Sequence, residues 1–430
     1  MENYELLSQK LRTRISSVEI FLSQMRGGRG GELRGLFQYV LDVVIADLDR
    51  IDRERNQALQ VEPGTRQQIL ELLSNQLERL EPVLDNLHIP LATYREAVAR
   101  ADVPVGLQHL IDVLMEEIIP SKGDPIIHLD STNMYSTYDL ASSIGETISK
   151  VFPQASNFDG THPIVFNLPA LDPSNVLLAP VLAHEVAHTA VDRKLMTAFL
   201  DELAGNAAFS DINIAFQSLE KGDQEEARRR LFAWTEELLC DAVAITMFGP
   251  SYMFAFTSFV PPTNTMPASP SHPDIQERMG YSLRLVDALG WRRFLEENSP
   301  GLLRWLEECS LHPVPVDGSV ASFLRVAIER TSLLRQQIAL SHIEKPFECD
   351  QNANIVVKAS PQLAAGVPIG EIEGVALTTS EVVLAAWMGA VLTHGDRPGT
   401  LALAAGDLGY NNVVVKALEN CQIVRNWQNS

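Results

Sequence analysis

Apolar residues recur at steps of three and four from the start of the chain: Tyr4, Leu7, Leu11, Ile15, Val18, Leu22 and Met25. That spacing is one stripe on an α-helix. The glycines around Arg29 (Gly27, Gly28, Gly30, Gly31) break the pattern, and a second stripe follows at Leu33, Leu36, Val40, Val44, Leu48 and Ile51. Pro63–Gly64 reads as a turn before a third stripe at Ile69, Leu73, Leu77, Leu80 and Leu84. A fourth helix is expected from Val105 to Ile119, stopped by Pro120. Helices with single apolar stripes and short joints pack as bundles, so residues 1–119 are expected to form one. A packing role and a partner-docking role both fit that pattern.

Beyond Pro120 the texture changes. Pro125–Leu129 and Pro163–Leu168 are short apolar runs between turn residues, which predicts strands. Helical patterns resume over 176–205, 224–248 and 273–289. Further helices are expected after residue 300, including 380–394 and 411–427, with room for a strand or two between Val356 and Val375. The expected fold is mainly α with a small β-sheet, an α+β arrangement. Its parts are a bundle over 1–119, a central domain over 120–300 and a helical region over 301–430.

Composition narrows the function. Fifty-five acidic residues against 34 basic ones leave a net charge of −21. Residues 1–60 carry nine of each sign, so the whole excess lies downstream. Such a chain is a poor ligand for nucleic acid or for anionic membranes, both of which call for a basic face. No run of eighteen apolar residues occurs. The nearest candidate, Ala242 to Val260, is broken by Gly249–Pro250. The amino terminus lacks the pattern of a signal peptide, and the four cysteines have no CxxC spacing. The expectation is a soluble cytoplasmic protein without a membrane span.

Chemistry concentrates in His184-Glu185-Val186-Ala187-His188, an HExxH sequence inside an apolar helical pattern. Residues four apart share a helix face, so both imidazoles can reach one zinc ion at about 2.0–2.1 Å. Glu185 lies about 100° round the helix, beside the metal without ligating it, where it can take a proton from an activated water. Burying three such groups among Leu182, Ala183, Val186 and Ala187 without a task is costly. Pro180 leaves two starts open for this helix, one near itself and one at Asp172–Pro173 with a kink.

A catalytic zinc takes a third protein ligand. Glu237 and Asp241 stand four apart on the pattern ended by Gly249–Pro250. Glu237 can ligate, while Asp241 can fix a ligating histidine through its far nitrogen. Glu236 is the rival ligand, without an acidic partner four residues on. Alone, such a pair would be an ordinary solvated couple; after an HExxH it has a purpose.

These residues resemble the gluzincin metallopeptidases. The following Ser271-His272-Pro273-Asp274-Ile275-Gln276-Glu277-Arg278 is similar to the H-P-x-x-x-x-R signature of the CAAX-prenyl-protease and heat-shock-protease family. The likeness covers roughly residues 160–290 and is confined to motifs. Members of that family are typically held in membranes, and this chain departs from them there. The resemblance implies a zincin core with His184, His188 and Glu237 on zinc, Glu185 as general base and Asp241 orienting His184. It implies catalytic positions near the cleft for His272 and Arg278. His272 would stabilise the oxyanion, with Tyr252 a further candidate. A helix-entry role for His272 beside Pro273, and an ion pair for Arg278, are the plainer readings. Pro163–Leu168 would be the edge strand that pairs with an extended substrate. The expected activity is a zinc-dependent endopeptidase with restricted access, acting on a peptide or protein substrate and served by a regulatory protein partner. The alternatives are a zinc amide hydrolase for a non-protein substrate and an interaction scaffold. His88, His109, His128, His162, His312, His342 and His394 lack ligand spacing.

Overall fold

A computed structural model describes residues 2–24, 30–99, 103–119, 125–130, 135–140, 151–152, 164–169, 174–259, 268–310 and 318–428. Among these the chain is mainly helical, with a three-stranded sheet and a two-stranded one. It divides into two compact units, where the sequence reading expected three parts. The sheet falls in with the N-terminal helices, and the C-terminal helices fall in with the HExxH segment.

The first unit holds α1 (Glu2–Gln24), α2 (Gly30–Ala58) and α3 (Pro63–Ala99). With them are β1 (Ile126–Asp130), β2 (Ser136–Asp139) and β3 (Ile164–Pro169). The three stripes meet as expected: Leu11, Ile15, Val18 and Leu22 bury against Val40, Val44, Leu48 and Ile51, and against Leu73, Leu77, Leu80 and Leu84. Met25 and the glycines 27 and 28 lie outside the described residues. Pro63 does not form the expected turn; it opens α3, where its missing N–H costs nothing. The turn sits just before it at Leu59–Gln60. The strand order β1-β3-β2 corrects a second expectation. Strand β3 is central, its backbone groups are taken up on both sides, and it offers no edge to a peptide. The sequence pattern did not reveal β2, whose Ser-Thr-Tyr-Asp is too polar to read as a strand.

The second unit holds α4 (Val105–Ile118) and the site-bearing helices. Helix α5 (Pro180–Ala190) carries HExxH and passes through a wide π turn (Val191–Leu195) into α6 (Met196–Gly205). Pro180 stands at its first turn, so the start near Pro180 is the one observed. Helix α7 (Ser210–Gln217) leads to α8 (Lys221–Phe248), which carries Glu237. From Trp234 to Phe248 only Glu236 of α8 is not buried. Helices α5, α10 (Ile275–Ala288), α13 (Ser319–Arg330) and α14 (Ser332–His342) pack around it. Between α8 and α10 runs α9 (Pro250–Phe259). Helices α11 (Trp291–Asn298) and α12 (Pro300–Ser310) precede α13. The chain ends with α15 (Cys349–Ala364), the short pair β4 (Glu371–Ile372) and β5 (Val375–Ala376), then α16 (Thr379–His394), α17 (Gly399–Gly406) and α18 (Leu408–Gln428). No described helix is long and apolar enough to cross a membrane.

Gly249 makes the tight corner between α8 and α9. Its φ is +53°, and an added Cβ would stand 3.0 Å from Trp291 Nε1 and 3.1 Å from Phe347. Gly249→Ala therefore meets backbone strain and side-chain contacts that force Trp291 and Phe347 to give way slightly. We expect it to destabilise the second unit by about 1–3 kcal/mol, read as a lowered unfolding midpoint. An unchanged midpoint would show that the corner relaxes freely.

Candidate metal centre

The site is assembled by the crossing of α5 and α8. The apolar flank of α5 (Leu182, Ala183, Val186, Ala187) is fully buried, which presses the polar face of the helix toward Glu237. The side chains of His184, His188 and Glu237 each offer one donor atom, and these atoms lie within 4.8 Å of one another. His184 Nε2 is 3.4 Å from Glu237 Oε2, and His188 Nε2 is 3.7 Å from Glu237 Oε1. Two imidazole nitrogens and a carboxylate oxygen suit a divalent ion of the first transition row. This buried group can hold a metal ion.

Each histidine is held from behind by its own carboxylate. His184 Nδ1 is 2.9 Å from Asp241 Oδ1. His188 Nδ1 is 3.0 Å from Glu236 Oε1, a contact the sequence did not reveal. Glu236, the rival ligand, thus sits behind His188, and Glu237 faces both Nε2 atoms. Such carboxylate–histidine pairs fix the tautomer that leaves Nε2 free to ligate. Replacing Glu236 by Gln is expected to weaken metal binding by about 10–100-fold, measured by competition with a chelating dye. Unchanged affinity would mean that His188 needs no partner.

Arg278 is buried and forks onto Asp241, with Nε 2.9 Å from Oδ2 and Nη2 2.7 Å from Oδ1. Its Nη1 lies 3.3 Å from Glu237 Oε2, and its plane stacks over Phe256 at 4.8 Å. The guanidinium is therefore taken up by two carboxylates, and the plainer reading of Arg278 as an ion pair is the one observed. The Tyr252 hydroxyl donates to Asp241 and lies 3.4 Å from His184 Nδ1, on the side away from the metal-facing nitrogen. That geometry corrects its expected place at the oxyanion. His272 differs from both: its side chain is 54% exposed, and its Nε2 is 3.4 Å from Glu237 Oε1. Its Nδ1 shares a hydrogen bond with Ser271 Oγ at 2.8 Å. The loop is tied down where the Trp234 indole donates to Ser269 O at 2.9 Å. The cap of α10 is Asp274, which accepts from Gln276 N, so Pro273 lies just outside the helix. Glu185 is half-buried on α5, one residue from His184.

The electrostatics follow from this packing. Burial alone would lower His184, but hydrogen bonds to Asp241 and Glu237 outweigh it and hold the imidazole at about 9. A bound cation would take the place of that proton. Burial opposes ionisation of Asp241, yet the Arg278 charge and the His184 contact hold it well below the usual carboxylate range. Glu237 is likewise lowered against its burial, by His184 and then Arg278. Cys240 lies between the two acids, fully buried. Burial and the neighbouring carboxylates push its thiol far up, which leaves it an inert filler. No protein-family model, curated protein or solved structure matches this chain.

Proposed function

We propose that the chain is a zinc metallopeptidase that hydrolyses peptide bonds at the α5–α8 crossing. The observation that carries this reading is the convergence of His184, His188 and Glu237, with Glu185 beside His184 on the same helix. The ligand set would be those three side chains, a three-residue set that leaves a position open for water and substrate. Bound there, zinc supplies Lewis-acid polarisation and lowers the pKa of water.

The chain's own groups do the rest. Glu185 takes the proton from the attacking water and hands it to the departing amine. Asp241 and Glu236 hold the two imidazoles at their far nitrogens. Arg278 is a positioning residue that locks Asp241 and Glu237 in register. His272, the exposed imidazole beside Glu237, would donate to the oxygen of the substrate carbonyl as charge builds there. Access is restricted to particular polypeptides.

The test is metal analysis of protein purified without chelators. We expect one zinc per chain, lost in Glu237→Ala and on dialysis against a chelator, with peptide hydrolysis lost and regained in step. Protein that carries no zinc and binds none on titration would sink the reading.

A further inference from the structure

Beside the metal centre, within the second unit, runs a groove of about 1150 Å³. Met196, Leu200, Phe216, Phe232 and Phe323 give it an apolar floor, and Leu200 and Phe232 are each 44% exposed. Exposed aromatic and branched side chains gathered at one place mark a binding surface. Lys221, Arg228 and Arg229 stand along the same lining, with Glu225 the one carboxylate among the residues that line it. None of the three cations makes an ion pair with a described residue. In a chain of net charge −21, unpaired cations grouped on an apolar groove are an exception that asks for a counter-charge. The Thr235 hydroxyl, in the same lining, is buried and finds no partner among the described residues.

The groove and the site share two stretches of chain. Phe232 precedes Glu236 by one helical turn on α8, about 6 Å along the axis, and Glu236 holds His188. Met196 follows His188 directly after the π turn. We infer that this groove recognises a stretch of the substrate polypeptide in which large apolar residues are flanked by aspartate or glutamate, an inference that rests on the peptidase reading above. The apolar side chains fill the floor, and the acidic ones meet Lys221, Arg228 and Arg229.

The experiment uses the full chain carrying Glu185→Gln, so that a bound peptide is not cut. Two labelled peptides are compared by fluorescence anisotropy: one with Leu and Phe among glutamates, the other with lysine at every glutamate. The acidic peptide is expected to bind about tenfold tighter or more. Arg228→Glu with Arg229→Glu, both exposed, should reverse that preference, and Phe232→Ser should weaken both peptides. Equal binding of the two peptides, or a preference untouched by the charge reversal, would overturn the proposal. So would a dimer that Phe232→Ser dissolves, because a second copy would then own the groove. The unmutated protein separates the two readings. Cleavage of both peptides at equal efficiency defeats the groove alone, whereas tight acidic-peptide binding with no cleavage of any peptide defeats the peptidase.

Discussion

Glu185→Gln is expected to cut turnover by about 10²–10⁴-fold while the protein keeps its fold and its metal. Glutamine matches the side chain in size and place on α5, but it cannot accept a proton. The proposed ligands are untouched, since His184, His188 and Glu237 are set by α5 packing on α8 and by the carboxylates behind the imidazoles. The comparison is a peptide library digested by each protein, with fragments counted by mass spectrometry and metal measured on the same samples. Loss of activity together with loss of metal would point to a structural part for Glu185. Turnover within a few fold of the unmutated protein would remove it from the mechanism.

Asp241→Ala is expected to be the most destabilising single change at the site, by about 3–5 kcal/mol. Asp241 is buried and accepts from Arg278 twice, from Tyr252 and from His184. Removing it strands the buried guanidinium with Glu237 as its one remaining acid, leaves the tyrosine hydroxyl only its longer contact to His184 and frees the His184 ring to turn. The cost comes from leaving Arg278 uncompensated more than from losing a contact, which a second variant separates. Pairing Asp241→Ala with Arg278→Met should regain stability without regaining metal affinity. Equilibrium unfolding of the metal-free proteins reads the first quantity and metal titration reads the second. A midpoint shift below about 1 kcal/mol for Asp241→Ala would show that water reaches Arg278 and that the network is not closed.

How much of this was legible beforehand depended on whether a contact runs along one element or across two. His184 with His188, and Glu237 with Asp241, are four-residue spacings on single helices, so the pattern alone put each pair on one face. The stripes of α1–α3 were legible for the same reason. The Glu236–His188 contact was not, because it is set by the angle and depth at which α5 crosses α8. Both glutamates of the Glu236–Glu237 pair were available, and the crossing assigns one to each side of the imidazoles. Tyr252 was noticed for being near, but its direction follows from the Gly249 corner, which swings α9 back against Asp241. The place of β3 in its sheet was hidden because an apolar run does not say how many neighbours it will have. Polar β2, the strand on one of its flanks, gave no signal.

The π turn after HExxH carries a consequence for phase. In an unbroken α-helix the stripe through His184 and His188 would continue at positions 191, 195, 199 and 202, each about 100° of rotation per residue from the last. A wide turn takes in one extra residue, and everything beyond it is rotated back by about that angle. The stripe then continues through 196, 200 and 203, where Met196, Leu200 and Leu203 line the groove. One surplus residue thus brings two stretches of chain into a single line, the His184 and His188 imidazoles at one end and apolar floor at the other. A helix of ordinary pitch would have turned Met196, Leu200 and Leu203 aside and left Phe199 on the line in their stead.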